Sequence, residues 1–196
     1  SNQSSNLIFE AESRWCLWET AISMDISPNL IEINFDNDNE FLFVRDKIRR
    51  IDITSSKDAL NGYQKGQCFY CSKEIEIQTG LQNSCDVDHF FPHMLKNFNF
   101  RGVNQVWNLV LSCKNCNRGE GGKFERIPDI SFLELLNKRN NFYVESHHPL
   151  RETIINQTGN TDAERRQFLQ KAFNNAVEIL PSKQKWKPPE QHGVIF

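Results

Sequence analysis

Hydrophobic residues recur at helical spacing in two long stretches of this chain, one near each end. The first runs from Leu7 to Met24 and is followed by Pro28, and the second runs from Thr161 to Leu180. Apolar side chains that return every three or four positions indicate an amphipathic helix. The second stretch also opens with Thr161-Asp162-Ala163-Glu164, the spacing of a capping box. We therefore predict a helix over each stretch.

After the first predicted helix, the hydrophobic residues recur at a shorter spacing. Residues 29–44 carry isoleucine and phenylalanine at alternate positions and then an apolar run, with Asp36-Asn37-Asp38-Asn39 between them. Alternation on either side of turn-forming residues predicts two short strands joined by a turn.

Serines mark the starts of two further helices. Ser55 or Ser56 is suited to cap a helix through Gln64, and Ser131 is suited to cap one through Asn137 or beyond. The tail after residue 181 contains two adjacent prolines and is expected to be irregular. The predicted fold class is therefore α+β, and mostly helical.

The middle of the chain, residues 66–124, instead concentrates cysteine, histidine and turn residues. Four of the six cysteines form two Cys-x-x-Cys pairs, Cys68 with Cys71 and Cys113 with Cys116. Two intervening residues let both sulfurs of a pair reach one ion, and two pairs complete a tetrahedral shell. A redox-active pair and a chance occurrence are alternatives, which the presence of two pairs disfavours. We predict a structural zinc, because four protein ligands leave no open position.

The segment between the two pairs carries different chemical groups. Residues 86–93 alternate polar and apolar side chains, as a strand does, until a proline ends the pattern. Hydrolysis of a phosphodiester needs a base that works near pH 7, which histidine can be, and a hard cation held by oxygen atoms. His89 offers the base, Asp88 offers a carboxylate, and Asn117, directly after the last cysteine, offers an amide oxygen.

In order, these residues read Cys-x-x-Cys, Asp-His-x-x-Pro, Asn and Cys-x-x-Cys-Asn. The series resembles the HNH nucleases, also called His-Me finger or ββα-metal nucleases, over about residues 63–126. Within that family it is similar to restriction-type enzymes and to the phage junction-resolving endonuclease, in the subtype with a four-cysteine zinc. The resemblance implies a central ββα-metal finger with a zinc knuckle, flanked by N- and C-terminal helices.

The resemblance also implies a role for each motif residue. His89 matches the general base that activates water, and Asp88 and Asn117 match the ligands of one catalytic Mg²⁺ or Mn²⁺. Asn108 matches the middle asparagine, which braces the loop and orients the histidine. One position departs from the pattern. A lysine commonly follows the last asparagine by about three residues, whereas here Lys123 lies beyond a glycine-rich turn, which is expected to reshape the helix start or to contact a phosphate.

Charge is unevenly distributed in a chain whose net charge is only −2. Residues 1–44 are acidic, whereas residues 94–126 contain six basic and two acidic residues. Such charges are commonly solvated loop residues, although a phosphate backbone also requires only a local basic surface. The favoured contacts to a phosphate backbone are Lys96, Lys114, Arg118 and Lys123.

These observations predict three segments. Residues 1–62 form a flank of helix and short strands, residues 63–126 form the nuclease core, and residues 127–196 form a helical extension with an irregular tail. The expected function is metal-dependent cleavage of DNA, in restriction, phage defence or mobile-element processing. A non-catalytic zinc-stapled module that binds nucleic acid or protein is the alternative.

Expectations about partners and location are broader. The helical flanks are candidate surfaces for a homodimer or for a larger protein partner. The sequence contains neither a run of about 18 apolar residues nor the pattern of a signal peptide, so we expect a cytoplasmic protein without a membrane span.

Overall fold

A computed structural model describes residues 2–23, 33–45, 50–78, 81, 83–181 and 185–189. The α-helices are α1 (Asn2–Ser23), α2 (Ser56–Gln64), α3 (Lys114–Arg118), α4 (Ser131–Glu145), α5 (Arg151–Thr158) and α6 (Asp162–Ile179). The strands are β1 (Ile33–Asp36), β2 (Phe41–Arg45), β3 (Arg50–Ser55), β4 (Cys85–His89) and β5 (Leu109–Cys113). Helices cover far more of the described residues than strands do, so the predicted α+β, mostly helical class is confirmed.

The N-terminal part contributes a three-stranded antiparallel sheet in the order β1-β2-β3. The Asp36 carboxylate stabilises the turn between β1 and β2, because it accepts hydrogen bonds from the backbone N–H groups of Asp38 (2.9 Å) and Asn39 (3.3 Å). The predicted pair of strands is thus present, although residues 29–32 lie outside the described residues. Strand β3 goes beyond the two strands predicted, although its two isoleucines alternate with polar residues as they do in a half-buried strand.

The predicted helices occur close to their expected bounds. Helix α1 begins earlier than predicted, while its expected last residue, Met24, lies outside the described residues. The capping box at the start of α6 is confirmed, with the Thr161 hydroxyl accepting from the N–H of Glu164. Ser131 is the first residue of helix α4 and not its cap, which is Ile130 and makes no side-chain hydrogen bond. The Asp129 carboxylate accepts from the N–H (3.1 Å) and hydroxyl (2.8 Å) of Ser131. Helix α5 is an addition.

Helix α1 packs along α2 where a small residue permits close approach. A Cβ atom at Gly62 would lie 2.6 Å from Oγ of Ser13, so a larger side chain would collide there. The Ser13 hydroxyl donates to the carbonyl of Ala59 at 2.7 Å and also lies 2.9 Å from Nε2 of the buried His148. These bonds join α1 both to α2 and to the turn between α4 and α5.

Strands β4 and β5 form a separate antiparallel pair, in which His89 lies opposite Leu109. Two short 3₁₀ helices, at residues 93–98 and 106–108, lie in the connection between the strands. Helix α3 follows β5 without a gap. This ββα unit, residues 85–118, is called the finger below.

A single hydrophobic core joins the finger to the helical flanks. The side-chain amide of Gln64 in α2 bonds to both backbone groups of Leu111 in β5, each at 2.7 Å. The fully buried Trp107 packs edge-on against Phe168 of α6, with 4.9 Å between ring centroids. Arg139 of α4 is also buried and donates to the backbone carbonyl of Trp107 at 2.7 Å. Among the described residues, no helix has the length and apolarity to cross a membrane.

Candidate metal centre and active site

The four paired cysteines converge at one end of the finger. Cys68 and Cys71 lie in the turn after α2, Cys113 ends β5, and Cys116 lies in α3. All four are buried, and their sulfur atoms lie within 4.8 Å of one another. The sulfurs of Cys71 and Cys113 are 3.8 Å apart. Zinc–sulfur bonds of about 2.3 Å in a tetrahedron place sulfurs about 3.8 Å apart, so the cluster fits one zinc ion.

The local backbone holds these sulfurs in place. The turn at Cys68 closes through two hydrogen bonds: its N–H donates to the carbonyl of Lys73 (2.9 Å), and its carbonyl accepts from the N–H of Ser72 (3.0 Å). On the other side, the sulfur of Cys113 accepts from the N–H of Cys116 at 3.4 Å. Hydrogen bonds from the other cysteines, Cys116 first, lower the pKa of the Cys113 thiol. A thiolate is the form that binds zinc.

His89 ends β4 at the other end of the finger. Its Nε2 atom lies 3.0 Å from Oδ1 of Asn104, and its ring meets that of Phe35 from β1 edge-on, with centroids 5.6 Å apart. The ring of His93 is 5.1 Å away. Burial, reinforced by His93, lowers the pKa of His89 to about 4. The imidazole is therefore neutral at pH 7, as a general base requires.

Asp88, which precedes this histidine on β4, is buried and has two partners. Oδ2 accepts a hydrogen bond from the hydroxyl of Tyr70 at 2.7 Å, and Oδ1 lies 3.1 Å from Nζ of Lys123. Burial raises the pKa of Asp88, while Lys123 and Tyr70 oppose that shift. A carboxylate offers about four lone-pair positions, so these contacts leave acceptor capacity on both oxygens.

Asn117, which the resemblance places on one cation with Asp88, lies in α3 and contacts Asp86. Its side-chain nitrogen donates to Oδ2 of Asp86 at 3.0 Å. Arg118 also pairs with Asp86, through Nε at 3.0 Å and Nη2 at 3.1 Å. The bond from Asn117 uses the carboxamide nitrogen and not the oxygen, which is the atom that a cation would need. Since Asp86 and Asp88 alternate with Val87 on β4, both carboxylates lie on one face of the strand.

The glycine-rich turn explains why Lys123 comes late in the sequence. The N–H of Lys123 donates to the carbonyl of Cys116 at 2.6 Å, and the next N–H donates to the carbonyl of Asn117 at 2.8 Å. Residues 118–122 therefore form a closed loop that returns the chain to the end of α3. Gly122 is required there, because a Cβ atom would lie 2.8 Å from the carbonyl oxygen of Gly119.

Lys123 does not occupy the position expected of a phosphate contact. Its side chain is fully buried, and Nζ donates to the backbone carbonyl of His89 at 3.0 Å in addition to its pairing with Asp88. The loop thus directs this lysine into the site and not toward solvent. The other three predicted contacts, Lys96, Lys114 and Arg118, are exposed.

Asn108 braces the connection between β4 and β5. Its side chain accepts from the N–H of Phe91 (2.8 Å) and donates to the carbonyls of Phe91 (3.0 Å) and Val103 (2.8 Å). The hydrogen bond to the ring of His89 comes instead from Asn104. The sequence offered no signal for that role, because Asn104 is one of several asparagines in a polar loop.

The C-terminal segment also contributes to the site. Trp186 is buried against Tyr70, with ring centroids 5.0 Å apart, and its indole N–H donates to the carbonyl of Gly121 at 2.7 Å. Backbone hydrogen bonds link it to residues 127 and 129. The tail expected to be irregular therefore supports both the glycine-rich turn and the tyrosine that contacts Asp88.

The paired strands, the short helix and the cysteines together form a ββα finger with a four-cysteine cluster that fits a zinc ion. Residues 68–128 match the HNH endonuclease family. The resemblance to HNH nucleases is thereby confirmed for this segment. Searches among curated proteins and among solved structures gave no significant match.

Proposed function

We propose that this protein is a metal-dependent endonuclease that hydrolyses phosphodiester bonds in DNA. The observation that carries the proposal is His89, a neutral and hydrogen-bonded imidazole that follows Asp88 on β4, in a segment that matches HNH endonucleases. In this role His89 accepts a proton from the attacking water.

Asp88 and Asn117 are the proposed ligands of one Mg²⁺ or Mn²⁺ ion. The chemistry of the donors fits such an ion, since Asp86, Asp88 and Asn117 all supply the oxygen atoms that hard cations prefer. When bound, the cation supplies positive charge that stabilises the developing charge on the phosphate and on the leaving oxygen. Lys123, paired with Asp88, favours the ionised form of that carboxylate against the effect of burial. The cysteine cluster binds zinc and acts only in building the scaffold.

Substrate approach must involve the N-terminal sheet. His89 is only 6% exposed, and Phe35 of β1 covers one edge of its ring. A base that activates water on a phosphate has to reach that phosphate, so Phe35 has to give way when DNA binds. The exposed Lys96, Lys114 and Arg118 are the proposed contacts to the DNA backbone.

Plasmid cleavage in the presence of Mg²⁺ or Mn²⁺ tests the proposal. The variant His89→Asn lacks a group that accepts a proton at neutral pH, so we expect cleavage to fall by about 10²- to 10⁴-fold. EDTA is expected to abolish cleavage by the native protein. The matched control is His147→Asn, because His147 is exposed and asparagine tolerates its left-handed backbone.

The proposed metal ligands have a separate readout. Asp88→Asn and Asn117→Ala should both raise the Mg²⁺ or Mn²⁺ concentration needed for half-maximal cleavage, by about tenfold or more. Full activity of His89→Asn would refute the proposed base. If the zinc-bound native protein cleaves no nucleic acid with either cation, the non-catalytic binding module becomes the better description.

A further inference from the structure

We propose that Asn104 is the positioning residue of His89: its side-chain oxygen keeps the ring proton on Nε2 and so leaves Nδ1 as the basic atom. This inference rests on the proposed nuclease function, in which His89 is the base. It assigns to Asn104 a task that the sequence pattern gave to Asn108.

Two other rings lie against that of His89, but among the described residues neither makes a hydrogen bond to it. Phe35 offers only a hydrocarbon edge, and His93 lies beside the ring with centroids 5.1 Å apart. Lys123 bonds to the backbone carbonyl of His89 and not to its ring. Among the described residues, the ring of His89 makes its hydrogen bond with Asn104, at 3.0 Å between Nε2 and Oδ1.

The chemistry of that contact selects one tautomer. An amide oxygen only accepts hydrogen bonds, so Nε2 has to carry the proton. A neutral imidazole has one proton on its two nitrogens, and the lone pair is therefore on Nδ1. When Nδ1 takes a proton from water, Nε2 keeps its own, and the ring becomes an imidazolium still bonded to the Asn104 oxygen. A partner that fixes a histidine in this manner sets both its tautomer and its rotation.

The loop around Asn104 is built to hold that oxygen in place. The preceding carbonyl, that of Val103, accepts from the side chain of Asn108 at 2.8 Å. The turn is closed by the N–H of Gln105, which donates to the carbonyl of Gly102 at 3.0 Å. Gly102 has φ +77°, and a Cβ atom there would lie 2.3 Å from Oε1 of Gln105. Asn108 thus acts on the histidine indirectly, through the loop that presents Asn104.

Three substitutions separate the acceptor oxygen from the bulk of the side chain. Asn104→Leu keeps the size and removes the acceptor, and Asn104→Asp keeps an acceptor oxygen. Asn104→Ala serves as a second removal of the acceptor if leucine prevents folding. Asn156→Leu is the control, because Asn156 is exposed on α5 and lies outside the finger.

The first measurement does not depend on cleavage. Long-range ¹H–¹⁵N spectra of the zinc-bound full chain report which ring nitrogen of each of the five histidines carries the proton, and His89→Asn assigns the signal. We expect His89 to be protonated on Nε2 in the native protein and in Asn104→Asp. Asn104→Leu and Asn104→Ala should give a mixture of tautomers. A native ring protonated on Nδ1, or an unchanged pattern in both removal variants, would overturn the inference.

The second measurement is cleavage kinetics with plasmid DNA. Because Asn104 acts through His89 and not on DNA, removal of the acceptor should lower kcat by about 10- to 100-fold and leave KM nearly unchanged. Asn104→Asp should keep most of the native kcat, because it keeps an acceptor oxygen. A purely structural role of Asn104 would not predict this difference from Asn104→Leu. Equal loss in the aspartate and leucine variants contradicts the inference. Lack of cleavage by every form, with the native tautomer pattern intact, would refute the nuclease proposal and not the positioning of the ring.

Discussion

The two ends of the finger use polar side chains in opposite ways. At the zinc end, defined by the four clustered cysteines, like groups face one another and only a cation can satisfy them together. At the histidine end, defined by Asp88, His89 and Lys123, each charged or polar group already has a partner from the protein. The first arrangement needs an ion to satisfy its ligands. The second holds an imidazole and a carboxylate through hydrogen bonds and an ion pair within the protein.

The sharpest test of this contrast is removal of one sulfur. Cys113→Ser should abolish stable zinc binding, and structural zinc contributes about 10 kcal/mol or more to the folding of small zinc domains. We expect loss of the zinc and unfolding of the finger, measured by metal content and thermal melting. Cys16→Ser is the matched control, because Cys16 lies in α1 outside the cluster. Retention of one equivalent of zinc by Cys113→Ser would contradict the assignment.

Removal of the Lys123 charge should destabilise the histidine end for an electrostatic reason. Lys123→Met leaves the buried Asp88 carboxylate without its cation, and breaking a buried pair in this way costs about 3–5 kcal/mol. Denaturant unfolding measures the loss in free energy. Lys138→Met, at an exposed position on α4, should change stability little.

A double variant identifies the cause of that loss. Asp88→Asn combined with Lys123→Met removes the uncompensated charge, so much of the stability should return while zinc stays bound. If the double variant is as unstable as Lys123→Met alone, packing of the lysine stem matters more than its charge.

The sequence was sufficient to predict the zinc end. Paired cysteines at fixed spacing have few other uses, and the local turn carries both sulfurs wherever the chain goes. The predicted β1–β2 turn and the capping box at Thr161 depend on similarly local rules. Helix α5 is a short segment whose residues carry no such local signal. Strand β3 alternates isoleucine with polar residues, but over only six residues.

Less of the histidine end could be predicted, because its contacts join residues far apart in the sequence. Tyr70 lies 18 residues from the carboxylate that it contacts, and Lys123 lies 34 residues from the carbonyl that it binds. The burial of Lys123 follows from a loop closed by backbone hydrogen bonds, which composition does not reveal. The role of Asn104 is equally hard to predict, since only the folded loop distinguishes it from neighbouring polar residues.

The glycine-rich turn connects the two ends and can be tested at adjacent positions. At Gly122 a Cβ atom would meet backbone oxygens of Gly119 and Asn115 at 2.8 and 2.9 Å, whereas at Gly121 nothing lies within 4 Å. Gly122→Ala should therefore cost about 2–3 kcal/mol, because backbone must shift to make room. Gly121→Ala should cost only about 1 kcal/mol, for its positive φ. Equal losses in unfolding free energy would contradict the close backbone approach at Gly122.

Acid lowers the stability of both ends of the finger, because thiolates and imidazoles take up protons. A contribution to this pH dependence from outside the finger therefore has to be measured separately. Burial lowers the pKa of His148 to about 3, from an ordinary value of 6.5. Its folded-state pKa lies below its unfolded-state value, so the stability that it contributes is complete above pH 6.5. That stability is lost as the pH falls toward 3, with about 2 kcal/mol lost between pH 7 and pH 5.

The variant His148→Asn should remove this part of the acid sensitivity, because asparagine stays neutral and its oxygen can still accept from the N–H of Leu150. Unfolding free energies of both proteins at pH 7 and pH 5 measure the difference, and His147→Asn should behave as the native protein does. The acid sensitivity that remains in His148→Asn belongs to His89 and the cysteines. Zinc content at each pH distinguishes the two contributions, because it reports on the cysteines alone. If His148→Asn keeps the full pH dependence, the buried histidine of the helical flank is not a source of it, and the finger alone accounts for the loss in acid.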